Sequence, residues 1–262
     1  MDQVIIQDLE NIKQEFAIPR RTKIEDGKEA VYIEEAPAAA PAVFVMDRFG
    51  YCKLLDQNLY ERSRETVDSE YVWVVPTMTT GRICLFTDTG TLHQIKAADI
   101  PLGKLKDRGT PADNLSRFDG SRERVVQIFD AEWMKDKTLL FATKMALVKQ
   151  VPSSEFETNN RTVAGTKLQE GDQLLSVTPV KDQQDVVLQT GEGIFLRFPL
   201  EEIPAMKKAS KGVRGIRLAE GDFLEALYLI GQDPVIRYKE KEVHLNRLKA
   251  GHRDGKGTKM RR

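Results

Sequence analysis

The sequence has few cysteines and no long apolar run. Its two cysteines, Cys52 and Cys84, lie in separate apolar segments without metal-ligand spacing, which is typical of small core residues. This number argues against a disulfide framework and favours a reducing compartment. No apolar run reaches about 18 residues, so we expect no membrane-spanning helix. The first residues, MDQVIIQDLENIKQEF, are too acidic for a signal peptide, and we expect a cytoplasmic protein without a membrane partner.

The sequence also lacks a catalytic constellation. The three histidines, His93, His244 and His252, stand in separate segments without the spacing of metal ligands. Residues 251–259, GHRDGKGTK, faintly resemble a phosphate-binding loop, but Gly257 stands where such a loop requires Ser or Thr. No nucleophile elbow and no compelling pair of carboxylates is present. We therefore expect neither an autonomous enzyme nor a cofactor or metal in this chain.

A net charge is lacking too, since 40 basic residues balance 40 acidic ones. The charge is nevertheless polarised along the chain. Residues 1–42 hold nine acids against five bases, whereas residues 235–262 hold ten bases against three acids. Such a distribution is compatible with a local anionic partner, but it does not identify one.

One pattern recurs along the chain: an apolar run, a polar turn and a second apolar run. Four copies begin at residues 43, 83, 139 and 186 and read VFVMDRFGYCKLL, ICLFTDTGTLHQI, LLFATKMALVKQV and VVLQTGEGIFLRF. A fifth, weaker copy begins near residue 234 and reads PVIRYKEKEVHLN. Each predicts a β-hairpin, and Gly50, Gly90 and Gly193 stand at three of the turns. Recurrence at roughly 40–55 residues is typical of propeller blades. We predict an all-β, propeller-like fold of about five four-stranded blades.

The segments outside the repeats suggest the domain organisation. Apolar residues at helical spacing predict a helix over residues 2–16. The Pro/Ala-rich segment EAPAAAPA favours a semi-rigid linker. We therefore predict an N-terminal helix and tail at residues 1–34, a linker at 35–42 and a repeat domain at 43–262.

Basic residues beside glycine recur in the loops that follow the hairpins. Glycine lets a backbone approach a surface closely, and Lys and Arg supply the charge that dominates non-specific DNA affinity. A single such loop is usually an ordinary solvated turn, but repetition would place several on one rim. The predicted DNA-binding residues are Arg62, Arg64, Lys104, Lys106, Arg108, Arg161, Lys167, Lys207, Lys208, Lys211, Arg214, Arg217, Arg253 and Lys256.

Several motifs together resemble a known family. LFTDTG, ADIP, RGTPADNL, FATKMALVKQ and KGVRGIRLAEGD, in this order, resemble the C-terminal domain of the A subunit of bacterial type IIA topoisomerases, which are DNA gyrase and topoisomerase IV. The resemblance covers nearly all of residues 43–262, and residues 1–33 are similar to the tail that follows the family's cleavage domain. It implies a β-pinwheel, a propeller-like disc whose blades exchange hairpins with their neighbours.

The resemblance also implies a function. Double-stranded DNA would bend around the basic rim without sequence preference, and the domain would present the transported segment to the rest of the A subunit. The full enzyme would pair two A subunits with two ATPase B subunits and use Mg²⁺ and ATP. Its catalytic tyrosine would lie outside this chain, and the protein would be associated with the nucleoid.

One departure from the family favours topoisomerase IV. Gyrase carries a box of sequence QRRGGKG after its first hairpin, whereas residues 60–68 here read YERSRETVD without glycine. Five predicted units rather than six favour the same choice. Two alternatives stay open: a gyrase domain with a decayed box that wraps DNA, and a protein-interaction propeller whose basic loops are ordinary turns.

Overall fold

The computed structural model describes residues 2–18, 22, 39–182, 184–231 and 234–260. Contacts divide the chain into two units, Met1–Ala36 and Pro37–Arg262. In the first unit, helix α1 spans Asp2–Phe16, as predicted, and its apolar side chains are exposed. The predicted linker lies partly outside the described residues, and its last two residues, Pro41 and Ala42, begin a strand. The predicted domain boundaries stay predictions.

The second unit consists of five successive repeats. Repeat 1 contains β1 (Pro41–Met46), β2 (Tyr51–Asp56), α2 (Gln57–Arg62), α3 (Arg64–Glu70) and β3 (Trp73–Met78). Repeat 2 contains β4 (Arg82–Thr87), β5 (Thr91–Lys96), β6 (Thr110–Pro111), α4 (Ala112–Leu115), β7 (Val125–Asp130) and α5 (Ala131–Met134). Repeat 3 contains β8 (Thr138–Thr143), β9 (Leu147–Pro152), β10 (Thr162–Ala164) and β11 (Leu174–Val180). Repeat 4 contains β12 (Asp185–Thr190), β13 (Ile194–Pro199), β14 (Val213–Arg214) and β15 (Leu224–Ile230). Repeat 5 contains β16 (Val235–Tyr238), β17 (Lys241–His244) and β18 (Thr258–Lys259).

Each repeat after the first lends one short strand to the blade before it. The four-stranded sheets have the orders β3-β1-β2-β6, β10-β5-β4-β7, β11-β8-β9-β14 and β15-β12-β13-β18. In every sheet the hairpin and the long return strand belong to one repeat, while the short fourth strand comes from the next. We call β6, β10, β14 and β18 the swapped strands. The predicted all-β pinwheel is confirmed, and the fifth unit contributes the two-stranded sheet β16-β17.

Hairpin strands are buried on both faces because each hairpin is covered on both sides, by neighbouring blades or, on one side of the first hairpin, by α3. Phe44 of β1 packs with Leu85 of β4, and Phe86 of β4 packs with Phe141 of β8. The same arrangement joins the third and fourth hairpins, where Leu140 and Leu188 share a cluster. The core is therefore a series of apolar layers between consecutive blades. Continuous apolar runs, rather than strictly alternating ones, are what a strand buried on both faces requires.

The first repeat differs from the others because the residues described before it form no blade. Where other repeats form a swapped strand, this one forms α2 and α3. Asp56 caps α2 by accepting hydrogen bonds from the backbone nitrogens of Asn58 and Leu59. Val67 of α3 is fully buried against Val43 and Leu55, on the face of the hairpin that a preceding blade would otherwise cover.

The hairpin turns share one backbone conformation. Gly50, Gly90 and Gly193 have φ values of 85°, 77° and 78°, and Ala146 occupies the same position in the third hairpin at φ 60°. This left-handed conformation is readily adopted by glycine and is less favourable for alanine. The turns predicted at these four sites are confirmed.

Three glycines provide a graded test of the swapped-strand geometry. Gly109 has φ 85°, and an added Cβ would lie 2.4 Å from the carbonyl oxygen of Cys52. Gly221 has φ 76° with open space around it, and Gly231 has open space without a positive φ. We expect Gly231→Ala to change the free energy of unfolding by less than about 0.5 kcal/mol. Gly221→Ala should lower it by about 1–2 kcal/mol because of backbone strain.

Gly109→Ala should lower the free energy of unfolding more than either control, because the strand β2 and the swapped strand β6 would have to separate. Urea denaturation of the three variants measures this order. A loss for Gly109→Ala no greater than that for Gly221→Ala would contradict the close approach described here.

Candidate nucleic-acid interface

The swapped strands form the outer edge of the pinwheel. Consecutive blades contact one another through their long return strands, since β7 contacts both β3 and β11, and β11 contacts β15. These strands therefore lie innermost. Each swapped strand is at the opposite end of its sheet, on the perimeter.

A loop along this perimeter leads into every swapped strand. We call these segments rim loops 1 to 4: residues 101–109, 153–161, 204–212 and 249–257. Three of them begin beside the second hairpin strand through parallel bridges, Leu54 to Leu102, Gln150 to Ala205 and Arg197 to Ala250. All four then turn back to pair antiparallel with that strand. The repeats thus place the four loops at equivalent positions.

One basic residue occupies the same place in every rim loop. The register pairs Cys52 with Thr110, Leu92 with Val163, Val148 with Val213 and Phe195 with Thr258. An exposed basic residue stands two positions before each of the swapped-strand residues Thr110, Val163, Val213 and Thr258. These basic residues are Arg108, Arg161, Lys211 and Lys256. The fold therefore brings four of the predicted DNA-binding residues into one row, one per blade.

The rim loops differ in charge. Loop 1 and loop 4 each hold three Lys or Arg residues and one acid, and loop 3 holds three lysines and no acid. Loop 2 holds Arg161 against two acids, Glu155 and Glu157. The described perimeter is therefore basic at the first, third and fourth blades and interrupted at the second.

Rim loop 1 presents three predicted residues to solvent. Lys104, Lys106 and Arg108 are all exposed. The guanidinium of Arg108 lies over the ring of Tyr51, 4.0 Å from its centroid. This contact orients the guanidinium without using its N–H donors, which leaves them available to an acceptor.

Arg161 and Lys167 flank the swapped strand β10. Arg161 forms an exposed ion pair with Asp99, in which the nitrogen–oxygen distance is 3.7 Å. Lys167 follows the strand and is also exposed. Exposed pairs of this length contribute little to stability, so Arg161 can exchange Asp99 for another anion at small cost.

In rim loop 3, Lys207 and Lys211 are exposed, whereas Lys208 is half-buried. The ammonium of Lys208 donates to the carbonyl oxygen of Glu155 in rim loop 2, and its backbone nitrogen donates to the Glu155 carboxylate. Lys208 therefore joins two neighbouring loops.

Arg214 and Arg217 share one acid in rim loop 4. Arg214 contacts Asp254 at 2.5 Å, and Arg217 contacts the same carboxylate at 3.4 Å. The hydrogen bond from Arg214 holds the pKa of the Asp254 carboxyl below its ordinary value, and the charges of both arginines act in the same direction. Both arginines are more than half exposed and keep further donors for a ligand.

Arg253 is half-buried and has structural partners. Its guanidinium donates to the carbonyl oxygens of Glu202, at 3.0 Å, and Arg214, at 2.9 Å. Burial alone would raise the pKa of the Glu202 carboxyl, but hydrogen bonds from the Arg253 backbone and from His252 outweigh it and the pKa is lowered. Among the predicted residues of loop 4, Lys256 is thus the exposed one.

Arg62 and Arg64 are not part of a rim loop, although their helices share an apolar cluster with Leu105 of rim loop 1. Arg62 ends α2 and Arg64 begins α3, and both are exposed. Arg64 forms an i,i+4 ion pair with Asp68 at 3.5 Å. The fold places both on the helices of the first repeat, outside the row of equivalent basic positions.

Two basic residues beneath the rim were missed by the loop pattern. Lys53 and Lys149 lie in β2 and β9, are 0% and 1% exposed, and bind rim loops 1 and 3 from inside. The available signal was a lysine inside an apolar strand, three residues after the turn residue, in two of the copies.

The described residues contain no group of His, Cys, Asp or Glu side chains that could hold a metal ion. Within the same residues, no helix is long and apolar enough to cross a membrane.

Comparisons with known proteins agree with this architecture. The family model "DNA gyrase C-terminal domain, beta-propeller" matches residues 137–181 and 184–230, which include the third and fourth hairpins. The DNA gyrase A subunit of Helicobacter pylori strain 26695 is 31% identical over 238 residues, covering 86% of this chain and 29% of the relative. The DNA gyrase A subunit of Staphylococcus aureus is 26% identical over 278 residues, covering 98% of this chain and 31% of the relative. The chain is therefore similar to the C-terminal domains of type IIA topoisomerase A subunits.

Solved structures of this family share the fold. The C-terminal domain of a DNA topoisomerase IV superposes with a TM-score of 0.75 at 21% identity, over 85% of this chain and 73% of that one. The Escherichia coli ParC C-terminal domain gives 0.70 at 18% identity, over 85% and 94%. A DNA gyrase A C-terminal domain gives 0.58 at 18% identity, over 83% and 76%. This pinwheel spans about 30% of the length of the gyrase subunits that it matches.

Arg253 and Lys256 separate loop construction from surface charge. We expect Arg253→Met to lower the free energy of unfolding by about 1–2 kcal/mol, because two carbonyl groups, one partly buried and one exposed, lose a charged donor. Lys256→Met removes an exposed charge and should change it by less than about 0.5 kcal/mol. Urea denaturation measures both variants. Equal stability of the two would show that the Arg253 hydrogen bonds do not hold the loop.

Proposed function

We propose that this domain binds double-stranded DNA along its basic perimeter and bends it. The observation that carries the proposal is the row of exposed basic residues, one at the same place in each rim loop. Lys and Arg side chains at repeated spacing meet phosphates, which determine affinity, rather than base edges, which determine sequence preference. Binding would therefore be non-specific in sequence and strongly dependent on salt.

Bending follows from the position of the row on a perimeter. A duplex that contacts successive blades has to follow their outer edge, and the deformation energy has to be offset by phosphate contacts. Rim loops 1, 3 and 4 supply those contacts in this proposal. Rim loop 2, with Glu155 and Glu157, is the weakest point of the path.

Similarity to gyrase A subunits supports our proposal that the domain is part of a larger enzyme. The domain would present the DNA segment that is transported to the rest of the A subunit, in an assembly of two A and two ATPase B subunits. Strand cleavage, with its tyrosine and Mg²⁺, and ATP hydrolysis would occur outside this chain. The enzyme would act on DNA topology and chromosome segregation at the cytoplasmic nucleoid.

Topoisomerase IV is the favoured parent enzyme in this proposal. Residues 60–68 lack the glycines of the gyrase box, and the chain here forms α2 and α3 rather than a glycine-rich loop. The sequence relatives named above are gyrase subunits, so the choice depends on this region.

A salt series tests DNA binding. Fluorescence anisotropy on a duplex of about 40 base pairs should give a plot of log affinity against log salt with a steep negative slope. Changing Lys207 and Lys211 to Gln should weaken binding and reduce the slope by about 2, since each lysine meets one phosphate.

A control of matched charge uses Lys135→Gln with Lys144→Gln, at two exposed lysines outside the rim loops. It should leave the slope nearly unchanged. Absence of wild-type binding at low salt would reject the DNA role and favour a protein-interaction propeller. Equal losses of DNA affinity in the rim variant and the control variant would show that the rim is not the DNA-binding site.

A topology assay distinguishes bending from chiral wrapping. We expect that relaxation of DNA minicircles with the domain bound will change linking number by less than one full positive wrap, because residues 60–68 lack the gyrase box. A full positive wrap constrained by the domain alone would assign it to the gyrase type.

A further inference from the structure

Lys53 is a charged residue in the core of the first blade. It is fully buried, and its ammonium donates to the carbonyl oxygens of Lys104 at 2.6 Å, Leu105 at 2.9 Å and Asp107 at 2.6 Å. All three acceptors belong to rim loop 1. A single side chain of the hairpin thus binds three of the four backbone carbonyl groups of residues 104–107.

Lys149 repeats the arrangement in the third blade. It is 1% exposed and donates to the carbonyl oxygens of Lys207 at 3.3 Å, Lys208 at 2.7 Å and Ser210 at 2.7 Å. The acceptors are again the first, second and fourth residues of a four-residue segment. Both lysines stand three residues after the turn residue of their hairpin.

The buried ammonium turns the loop backbone inward and leaves the basic side chains outside. In rim loop 1, Lys104 and Arg108 are exposed although the carbonyl of Lys104 points to Lys53. In rim loop 3, Lys207 and Lys211 are exposed in the same way. The hydrogen bonds therefore fix the loop in the shape that presents its positive charges.

A buried ammonium is an energetically unfavourable donor for these loops if its only purpose is structural. Its burial requires desolvation, and the loop above it adds positive charges that repel it. The other blades use different devices: His93 takes the equivalent place in the second blade, and Leu196 does so in the fourth. Rim loop 2 is held by Arg82 through the carbonyl of Thr158, and rim loop 4 by Arg253. A buried lysine is therefore not a requirement of the fold.

We propose that Lys53 and Lys149 are positioning residues for DNA, which fix rim loops 1 and 3 for phosphate contact and place a further positive charge beneath each loop. This inference rests on the proposed DNA binding. The buried charge acts through a low-dielectric layer and adds to the potential of the exposed lysines. DNA binding should consequently favour the protonated form of Lys149.

The charged surroundings of Lys149 make the proposal testable by pH. Burial lowers the pKa of Lys149 to about 8, against the opposing effect of Glu155. Glu155 in rim loop 2 is the charged group that opposes this shift, and the ring of Phe141 in β8 lies 5.6 Å from the ammonium. The basic residues of rim loop 3, whose backbone Lys149 binds, are Lys207, Lys208 and Lys211. A neutral amine keeps two N–H donors for three carbonyl acceptors.

The sign of the effect follows from linkage. If DNA binds the protonated form better, the pKa of Lys149 is higher in the complex than in the free protein. Affinity is then constant below about pH 8 and falls above it, by at most about tenfold per pH unit for one proton. The thiols of Cys52 and Cys84 do not titrate in this range, because burial raises the pKa of each to about 12.

The experiment compares wild type, Lys149→Arg and Lys149→Met in DNA anisotropy from pH 7 to 9.5 at constant salt. Wild-type affinity should fall up to about tenfold per unit above pH 8. Lys149→Arg should bind within about threefold of wild type at pH 7 and lose the decline, because arginine stays charged. Lys149→Met should bind about three- to tenfold more weakly at pH 7, also without the decline.

Controls separate the two proposals. Lys135→Met, at an exposed lysine outside the rim loops, should keep the wild-type affinity and pH profile. Circular dichroism shows whether Lys149→Met folds. If Lys149→Met does not fold, the pH profiles of wild type and Lys149→Arg test the inference. No wild-type binding at any pH would reject the DNA role and this inference with it. Salt-dependent binding with the same pH profile in wild type and Lys149→Arg would overturn the inference alone.

Discussion

The structure depends on one constraint: a hairpin that is apolar on both faces needs a neighbour on each side. Phe44 and Leu85 bury one another between the first two blades, and Phe86 and Phe141 do so between the next two. No hairpin of this kind is stable alone, so the blades have to form a row. The first hairpin meets the same demand with α3, whose Val67 covers the face that has no blade beside it. The helices α2 and α3 are therefore a consequence of the first hairpin's position in the row.

Much of the fold could be predicted from the sequence because its signals are local. The apolar runs and the turn residues fixed the positions of the hairpins, including the third, where Ala146 replaces glycine. Strand exchange was not readable from the residues, since β6 and β14 have two residues each and no pattern of their own. Exchange between blades was expected only through resemblance to the family, and then of hairpins, whereas the structure exchanges a single short strand at each blade. The helices after β2 were missed because Arg64–Glu70 contains a single buried apolar residue.

The candidate site was predicted less completely, for a physical reason. Exposed basic residues are visible in a sequence as charge, but their partners are not. Arg253 and Lys208 have the same charge as Lys256, yet both bind carbonyl groups of neighbouring segments. Asp254 holds two arginines that lie 37 and 40 residues away along the chain. Lys53 and Lys149 fall inside strands, where a pattern search over loops does not look. Contacts made across the blade boundary decide which charges are free.

Strand exchange also determines how the pinwheel carries a mechanical load. A rim loop is followed by a strand that is hydrogen-bonded into one blade, and the chain then continues into the return strand of the next. An outward pull on one loop is therefore shared between two blades through the covalent backbone, in addition to the packing between them. Separating two neighbouring blades would therefore require the swapped strand between them to leave its sheet.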